Sequence, residues 1–199
     1  MIVTINDILD EVSHHEGFEY LLSKKEEITI TLEQLNLKPG QKYYSLGIGK
    51  NSLPILAALS GLDVVGIDVN PENILYQEGS ALSFKEMLNI NGGSLAVYHW
   101  DIDKNPKEPA YGEFDLVECV NFTRKYDPME LARHLVSMGK SDALYLASIF
   151  GGPQGRESPL VTGIIRTAVN INKSYEIIDE KLLASDRYPN SRSTLINVY

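Results

Sequence analysis

The sequence of 199 residues has very little cysteine and relatively few basic side chains. Its single cysteine, Cys119, excludes a disulfide within the chain and fits a reducing compartment, so we expect a cytoplasmic protein. Lys and Arg number 18 against 27 Asp and Glu, which gives a formal net charge of −9. Because nucleic-acid surfaces need clustered Lys and Arg, this balance argues against a nucleic-acid partner.

Long apolar runs are also missing. No stretch approaches the roughly 20 apolar residues that cross a membrane, and the opening MIVTINDILDEV lacks the basic region of a signal peptide. We therefore expect no membrane partner and no export. A length of 199 residues with 43% hydrophobic residues predicts a single globular domain over 1–199.

Strand-like and helix-like stretches alternate along most of the chain. The pattern predicts strands at 42–49, 62–69, 94–102, 114–120 and 142–150, and helices at 31–40, 52–61, 70–90 and 127–138. This alternation is typical of a parallel sheet with helices on both faces. Strands at 174–185 and 193–199, with a short turn between them, predict a terminal antiparallel hairpin. Amphipathic turns before residue 31 are interrupted near Gly17.

The segment YYSLGIGKNSLP, residues 43–54, has a glycine pair but lacks a third glycine. Gly47 and Gly49 lie where a predicted strand leads into a predicted helix, and open parallel sheets bind ligands at such loops. Asp68 ends the next strand, nineteen residues after Gly49, where a carboxylate would accept hydrogen bonds from ribose hydroxyls. A dinucleotide fingerprint would need a glycine at the position of Ser52, so the pattern favours a different nucleoside ligand.

Further segments extend this pattern. They are LKPGQKYYSLGIGKNSLPILAALSGLDVVGIDVNPENI, YHWDIDKNPKE, GEFDLVECVN and DPMELARHL. Together with the terminal hairpin, they resemble class I S-adenosylmethionine-dependent methyltransferases over about residues 31–199. The resemblance implies a three-layer α-β-α sandwich with a mostly parallel seven-stranded sheet and an antiparallel C-terminal hairpin strand. It also implies S-adenosyl-L-methionine as cofactor, S-adenosylhomocysteine as product, and a helical lid or substrate-side segment at residues 1–30.

The resemblance assigns the adenosine end of the cofactor to the ends of two strands. Asp68 would take the ribose hydroxyls, and Val69 would pack beside the adenine. Asp101 would accept the adenine amino group, with Ile102 flanking the ring.

At the methionine end, the resemblance assigns Gly47 and Gly49 to the cofactor, and Asn121 to the cofactor or the substrate. Two residues depart from the family pattern. Ser45 stands where the family has an acid that helps to hold the methionine ammonium, and a hydroxyl makes a weaker contact than a charge-assisted one. Asn51 replaces the third glycine, where it would adopt a left-handed conformation or cap the next helix.

Methyl transfer is an in-line displacement on an electrophile that the cofactor supplies, so the protein has mainly to position the reactants. No catalytic residue is assigned. His99, Glu118 and Tyr126 are candidates for a base, and Glu118 needs a partner if it is buried in its apolar strand. Cys119 is a small core residue by its context. The fourth strand lacks the Asn/Asp-Pro-Pro-aromatic signature of amide and nucleobase-amine methyltransferases, which with the acidic charge indicates a small-molecule acceptor.

Three alternatives stay open. The first is aminocarboxypropyl transfer from the same cofactor, because GIGKNSLPI is faintly similar to the loop of nicotianamine-synthase-like enzymes. The second is a non-catalytic cofactor-binding or partner subunit, and the third is a nicotinamide oxidoreductase. No metal site is predicted, since His14 and His15 point different ways on a helix. Arg156 is a candidate for binding an acidic substrate group, and equally a surface residue.

Overall fold

A computed structural model describes residues 4–101, 113–122, 126–149, 155–183 and 192–199. The helices are α1 (Ile5–Ser13), α2 (Lys25–Leu35), α3 (Leu53–Leu59), α4 (Pro71–Ser83), α5 (Lys85–Asn91), α6 (Pro128–Met138) and α7 (Pro159–Asn170), with short 3₁₀ helices at Glu19–Lys24 and Gly155–Glu157. The strands are β1 (Lys42–Leu46), β2 (Asp63–Asp68), β3 (Ser94–His99), β4 (Phe114–Phe122), β5 (Gly139–Ile149), β6 (Tyr175–Leu183) and β7 (Arg192–Val198).

The seven strands form one sheet in the order β3-β2-β1-β4-β5-β7-β6. Strands β1 to β5 pair in parallel, and β7 runs antiparallel between β5 and β6. The mostly parallel sheet and its antiparallel C-terminal hairpin strand are therefore confirmed. The strand order reverses beside β1, and open sheets of this kind bind ligands at the carboxyl ends of the strands at such a point.

Apolar side chains cover both faces of the sheet. On β1 and β4, Tyr43 and Leu116 pack into the cluster that includes α1, α2 and α3. Their neighbours Tyr44 and Val117 pack into the cluster that includes α6 and α7. Successive residues of a strand point to opposite faces, so this alternation produces the predicted three layers.

Local capping signals fix two of the helices beside the sheet. Asn70 Oδ1 accepts a hydrogen bond from the Glu72 N–H at 3.0 Å, and Pro71 opens α4. Asp127 Oδ1 accepts from the Met129 N–H at 2.7 Å at the start of α6. These starts agree with the sequence prediction.

Two helix predictions were wrong in their bounds. The helix predicted over 70–90 breaks at Phe84 into α4 and α5, where the buried ring packs edge-on against Phe18, with ring centroids 5.5 Å apart. The helix predicted to begin at Thr31 begins at Lys25 instead, and the Thr31 hydroxyl bonds to a carbonyl one turn earlier. Helix α7 was not predicted.

Candidate functional site

The glycine pair forms a tight loop between β1 and α3. Gly47 and Gly49 have φ angles of 70° and 54°, a region in which a residue with a Cβ is strained. The N–H groups of Gly47 and Ile48 donate to the Ile67 carbonyl at 2.9 and 3.0 Å. The loop is therefore tied to the end of β2, the strand that carries the predicted ribose acid.

Asp68 lies beside this loop, at the position predicted for it. Its Oδ2 accepts hydrogen bonds from the Gly49 N–H at 2.9 Å and from Asn73 Nδ2 at 3.0 Å, and its Oδ1 accepts from the Asn70 N–H at 2.8 Å. The residue is only 8% exposed. A carboxylate offers about four acceptor sites, so a ribose diol would fit if the Asn73 amide moved aside.

Gln77 of α4 is a loop-holding residue that sequence reasoning missed. It is fully buried, and its Nε2 donates to the carbonyls of Gly49 at 3.1 Å and Asn51 at 2.9 Å. The sequence does contain one signal for this residue. Gln77 follows the apolar Ile74 by three positions, which places its amide on the same inward face of the helix.

Glu118 of β4 is buried under the loop, with 1% of its surface exposed. Its carboxylate accepts hydrogen bonds from Ser45 Oγ at 2.7 Å, from Asn51 Nδ2 at 3.0 Å and from the Tyr43 hydroxyl. Burial, and then the nearby carboxylate of Glu118, raise the pKa of Tyr43 well above its ordinary value, so the phenol stays a donor. The expected partners for a buried Glu118 are therefore present. A base that is buried this deeply does not reach a substrate in this structure.

Asn51 departs from one of its two predicted roles. It does not adopt a positive φ, so the left-handed conformation expected of a glycine substitute is absent. Its Oδ1 accepts from the Leu53 N–H at a long 3.4 Å, which makes it a weak cap for α3. Its stronger side-chain contact is the one to Glu118.

The predicted adenine side lies at the end of the neighbouring strand. The backbone N–H of Trp100 donates to the backbone carbonyl of Asp68 at 3.0 Å. This hydrogen bond holds the segment leading to Asp101 beside β2. His99 is exposed and its Nε2 lies 2.9 Å from the Val69 carbonyl. Val69 itself is half exposed, whereas Ile102 lies outside the described residues.

Other candidate residues lie apart from the loop or outside the description. Burial, and then the charge of Glu118, raise the pKa of the Cys119 thiol, which suits an inert core residue. Arg156 pairs with Glu180 through a 2.9 Å contact of its Nε. Asn121 is the next-to-last residue of β4, but its side chain lies outside the described residues, and Tyr126 is partly buried.

The segment before β1 contacts the loop and α4. The Tyr20 hydroxyl forms a hydrogen bond with Ser52 Oγ at the start of α3. Phe18 stacks near Tyr76 of α4, with ring centroids 6.2 Å apart, and Gly17 has a φ of 86°. Closure of this segment over a ligand stays a prediction.

Neither a metal cluster nor a membrane span occurs in the part of the chain that the structure describes. Over those ranges, no three or more His, Cys, Asp or Glu side chains are placed to hold a metal ion. No described helix combines the length and the apolar character needed to cross a bilayer.

Comparisons with known proteins identify the fold through structure alone. No protein-family model matches the sequence, and no curated protein matches it. TYW2 of P. horikoshii in complex with MeSAdo is a structural match with a TM-score of 0.61 and 17% identity, over 88% of this chain and 62% of that one. This chain likewise spans 63% of a second matching protein from Pyrococcus horikoshii.

Two further matches are methyltransferases crystallised with the cofactor or its product. The magnesium protoporphyrin IX methyltransferase ChlM from Synechocystis, with bound SAM, matches with a TM-score of 0.56 and 15% identity over 98% of this chain and 97% of its own. The phosphoethanolamine N-methyltransferase 2 of Haemonchus contortus, with S-adenosylhomocysteine, matches with a TM-score of 0.56 and 17% identity, over 89% of this chain and 47% of that one. The chain therefore has the class I S-adenosylmethionine-dependent methyltransferase fold.

Proposed function

We propose that this chain, whose fold is that of class I methyltransferases, binds S-adenosylmethionine at the glycine loop and transfers its methyl group to a small molecule. One observation carries the proposal: Asp68 Oδ2 accepts the Gly49 N–H at 2.9 Å. The carboxylate suited to a ribose diol and the loop suited to close ligand approach are thus in direct contact. Crystallised neighbours with bound SAM and S-adenosylhomocysteine support the same choice of ligand.

The residues of the chain would bind and orient rather than react. The cofactor supplies an electrophilic methyl group when it is bound. Asp68 would hold the ribose. Gly47 and Gly49 would let the backbone of the loop approach the methionine and ribose portion of the cofactor. Asp101 and Val69 would contact the adenine. Correct orientation can contribute roughly 7–11 kcal/mol to such a displacement, and a base is needed only if the acceptor must lose a proton.

The charge supports a small acceptor over a nucleic-acid acceptor. A formal net charge of −9 repels phosphate backbones, which disfavours a nucleic-acid acceptor. The acceptor would enter beyond the carboxyl ends of β1 and β4, where the strand order reverses.

One observation favours a second candidate, aminocarboxypropyl transfer from the same cofactor. The TYW2 match was crystallised with MeSAdo, methylthioadenosine, which is the adenosine product that such a transfer leaves. Methyl transfer leaves S-adenosylhomocysteine instead. The two reactions therefore differ in a product that can be measured without knowing the acceptor.

Ligand binding tests the cofactor assignment. Trp100 is the only tryptophan and precedes Asp101, so its fluorescence should change when adenine binds. S-adenosylhomocysteine and NADH are titrated in parallel, and each response is checked by calorimetry. We expect micromolar or tighter binding of S-adenosylhomocysteine alone. Binding of NADH alone, or of neither ligand, would refute the assignment.

The Asp68→Asn variant tests the pose. Loss of one hydrogen bond to a charged group costs about 1.5–3 kcal/mol, so the loss of one ribose contact should lower the affinity for S-adenosylhomocysteine about 10- to 160-fold. The matched control is Asp63→Asn at the other end of β2, where the carboxylate accepts from Ser94 Oγ. Equal affinity losses in both variants would contradict the pose.

Product analysis separates the two reactions. The protein is incubated with S-adenosylmethionine and a low-molecular-mass metabolite fraction, and a protein-free sample corrects for spontaneous cofactor breakdown. Protein-dependent S-adenosylhomocysteine supports methyl transfer, whereas protein-dependent methylthioadenosine supports aminocarboxypropyl transfer. Binding without either product would indicate a non-catalytic subunit.

A further inference from the structure

Strand β3 forms one edge of the described sheet and pairs there with β2 alone. An edge strand presents a row of backbone donors and acceptors to which another strand can bind. We propose that this edge pairs antiparallel with β3 of a second copy of the chain, so that a two-fold dimer joins two sheets into one. Such a dimer forms whether or not S-adenosylmethionine is the cofactor.

The hydrogen bonds with β2 determine which backbone groups of β3 point outward. The N–H of Ser94 donates to the Leu62 carbonyl at 2.9 Å, and the N–H of Trp100 donates to the Asp68 carbonyl at 3.0 Å. The register between the two strands is continuous, so alternate residues of β3 bond to β2 and the residues between them point away from it. Three residues direct their N–H and C=O groups outward: Leu95, Val97 and His99.

The side chains of β3 do not protect this edge. The strand SLAVYH contains no Asp, Glu, Lys, Arg or Pro, and its pairing with β2 has no bulge, whereas these are the devices that usually block edge pairing. The opposite edge of the sheet, β6, does have such devices. Its register with β7 shifts twice, and it carries the charged residues Glu176, Asp179, Glu180 and Lys181. Of the two edges of the described sheet, β3 is therefore the one that is open to another strand.

A second copy of β3 is complementary to this edge. With a two-fold axis through Val97 and perpendicular to the sheet, Val97 lies opposite its own copy and Leu95 lies opposite His99 of the second copy. Side chains of paired residues then leave the same face, as a sheet requires. The three outward N–H groups of each copy donate to the three outward carbonyls of the other, six hydrogen bonds in all. No Asp, Glu, Lys or Arg of β3 meets its own copy, so no like charges oppose each other between the strands.

The size of the edge indicates a weak, reversible dimer. A strand of six residues is about 20 Å long, and so is the 13-residue helix α4 that packs against it. Exposed apolar side chains on these two elements, Tyr98 of β3 and Leu75 and Leu82 of α4, add surface that a partner can cover. A standard interface buries about 800 Å² per partner, which a strand edge of about 20 Å does not reach by itself. We therefore expect a dissociation constant in the micromolar range.

Hydrogen exchange at different protein concentrations tests the pairing without any variant. Sedimentation equilibrium gives the dissociation constant, and NMR follows the β3 amides above and below it. The amides of Leu95, Val97 and His99 should exchange at least about tenfold more slowly in the dimer, whereas those of Ala96 and Tyr98 bond to β2 in both states and should not change. A monomer at all concentrations up to about 1 mM would overturn the proposal. A dimer in which the three outward amides exchange as in the monomer would also overturn it.

Proline at the axis provides a second test. Val97→Pro removes an outward N–H and leaves the hydrogen bonds to β2 in place, at the kind of position where an edge strand accepts proline. It should raise the dissociation constant of the dimer at least about tenfold, because each copy loses a donor and the ring lies against the facing strand.

The matched control is Tyr175→Pro on the other edge. Ser174 and Tyr199 exchange backbone hydrogen bonds at 2.8 and 3.0 Å, so the next residue, Tyr175, points its N–H away from β7. This variant should keep the wild-type dissociation constant. If Val97→Pro dimerises as tightly as the wild type, or if both variants weaken the dimer equally, the contact does not lie at β3 and the proposal fails. The exchange measurement gives its answer even if neither variant folds.

Discussion

Replacement of Gln77 by Met would test whether the glycine loop is held from α4. Methionine has a similar length and fits a helix, but it has no amide to donate. The substitution removes both hydrogen bonds from Nε2, at 3.1 Å to the Gly49 carbonyl and 2.9 Å to the Asn51 carbonyl. The helix itself should be unaffected.

The expected magnitude follows from the two hydrogen bonds that are lost. Two carbonyls of partly buried residues lose this donor, and a buried polar group that loses its hydrogen bond costs about 1–3 kcal/mol. Gln77 Oε1 is itself buried without a partner among the described residues. Removing this oxygen therefore offsets part of the loss in the free energy of unfolding. We expect the free energy of unfolding to fall by about 1–4 kcal/mol, with a Tm decrease of about 2–4 °C per kcal/mol for a chain of this size.

The assay is urea unfolding of Gln77→Met together with calorimetric titration of S-adenosylhomocysteine. Affinity should fall as well, because ligand binding must then order a looser loop. The control is Glu78→Met, the next residue on the same helix, which is exposed and should change stability by no more than about 0.5 kcal/mol. Unchanged stability and unchanged affinity in Gln77→Met would refute the proposed support of the loop.

Two further predictions concern stability. Gly66→Ala should destabilise the protein by about 1–3 kcal/mol, because the new Cβ would overlap Ile48 Cδ1. The double variant with Ile48→Val lacks this Cδ1, so it should recover most of the lost stability in urea unfolding. Burial lowers the pKa of His134 to about 4, so the unfolded state binds the proton first as pH falls below about 6.5. Wild-type stability should therefore decrease between pH 6.5 and pH 4 more steeply than that of His134→Gln, and equal slopes would contradict this.

Local signals predicted the sheet better than they predicted the helix bounds. Strands β1 to β5 and the hairpin were predicted because their apolar runs end at Gly, Asn or Asp. The break at Phe84 depends on contacts with Phe18 and His15, residues more than sixty positions away, so no local signal marks it. Helix α7 is rich in β-branched residues, and Gly163 allows it to pack closely on Ala132 of α6.

The same distinction between local signals and long-range contacts holds for the candidate site. Gly47, Gly49 and Asp68 could be proposed from the sequence because a turn and a strand end are visible in it. The contact of Glu118 with Ser45 could not be found, because it depends on the register of β1 against β4, over seventy residues apart. The ligand roles of these residues stay predictions.

The two departures from the family loop and the acid on β4 are best understood as one coupled change. An acid at position 45 would lie directly across the strand pair from Glu118, and like charges in that arrangement destabilise a sheet. A serine removes the repulsion and contributes a donor at 2.7 Å. An asparagine at position 51 then supplies the second donor, which a glycine could not. Ser45, Asn51 and Glu118 should consequently tolerate substitution together better than singly, since a Ser45→Asp change on its own removes one donor to Glu118 and places a second carboxylate beside it.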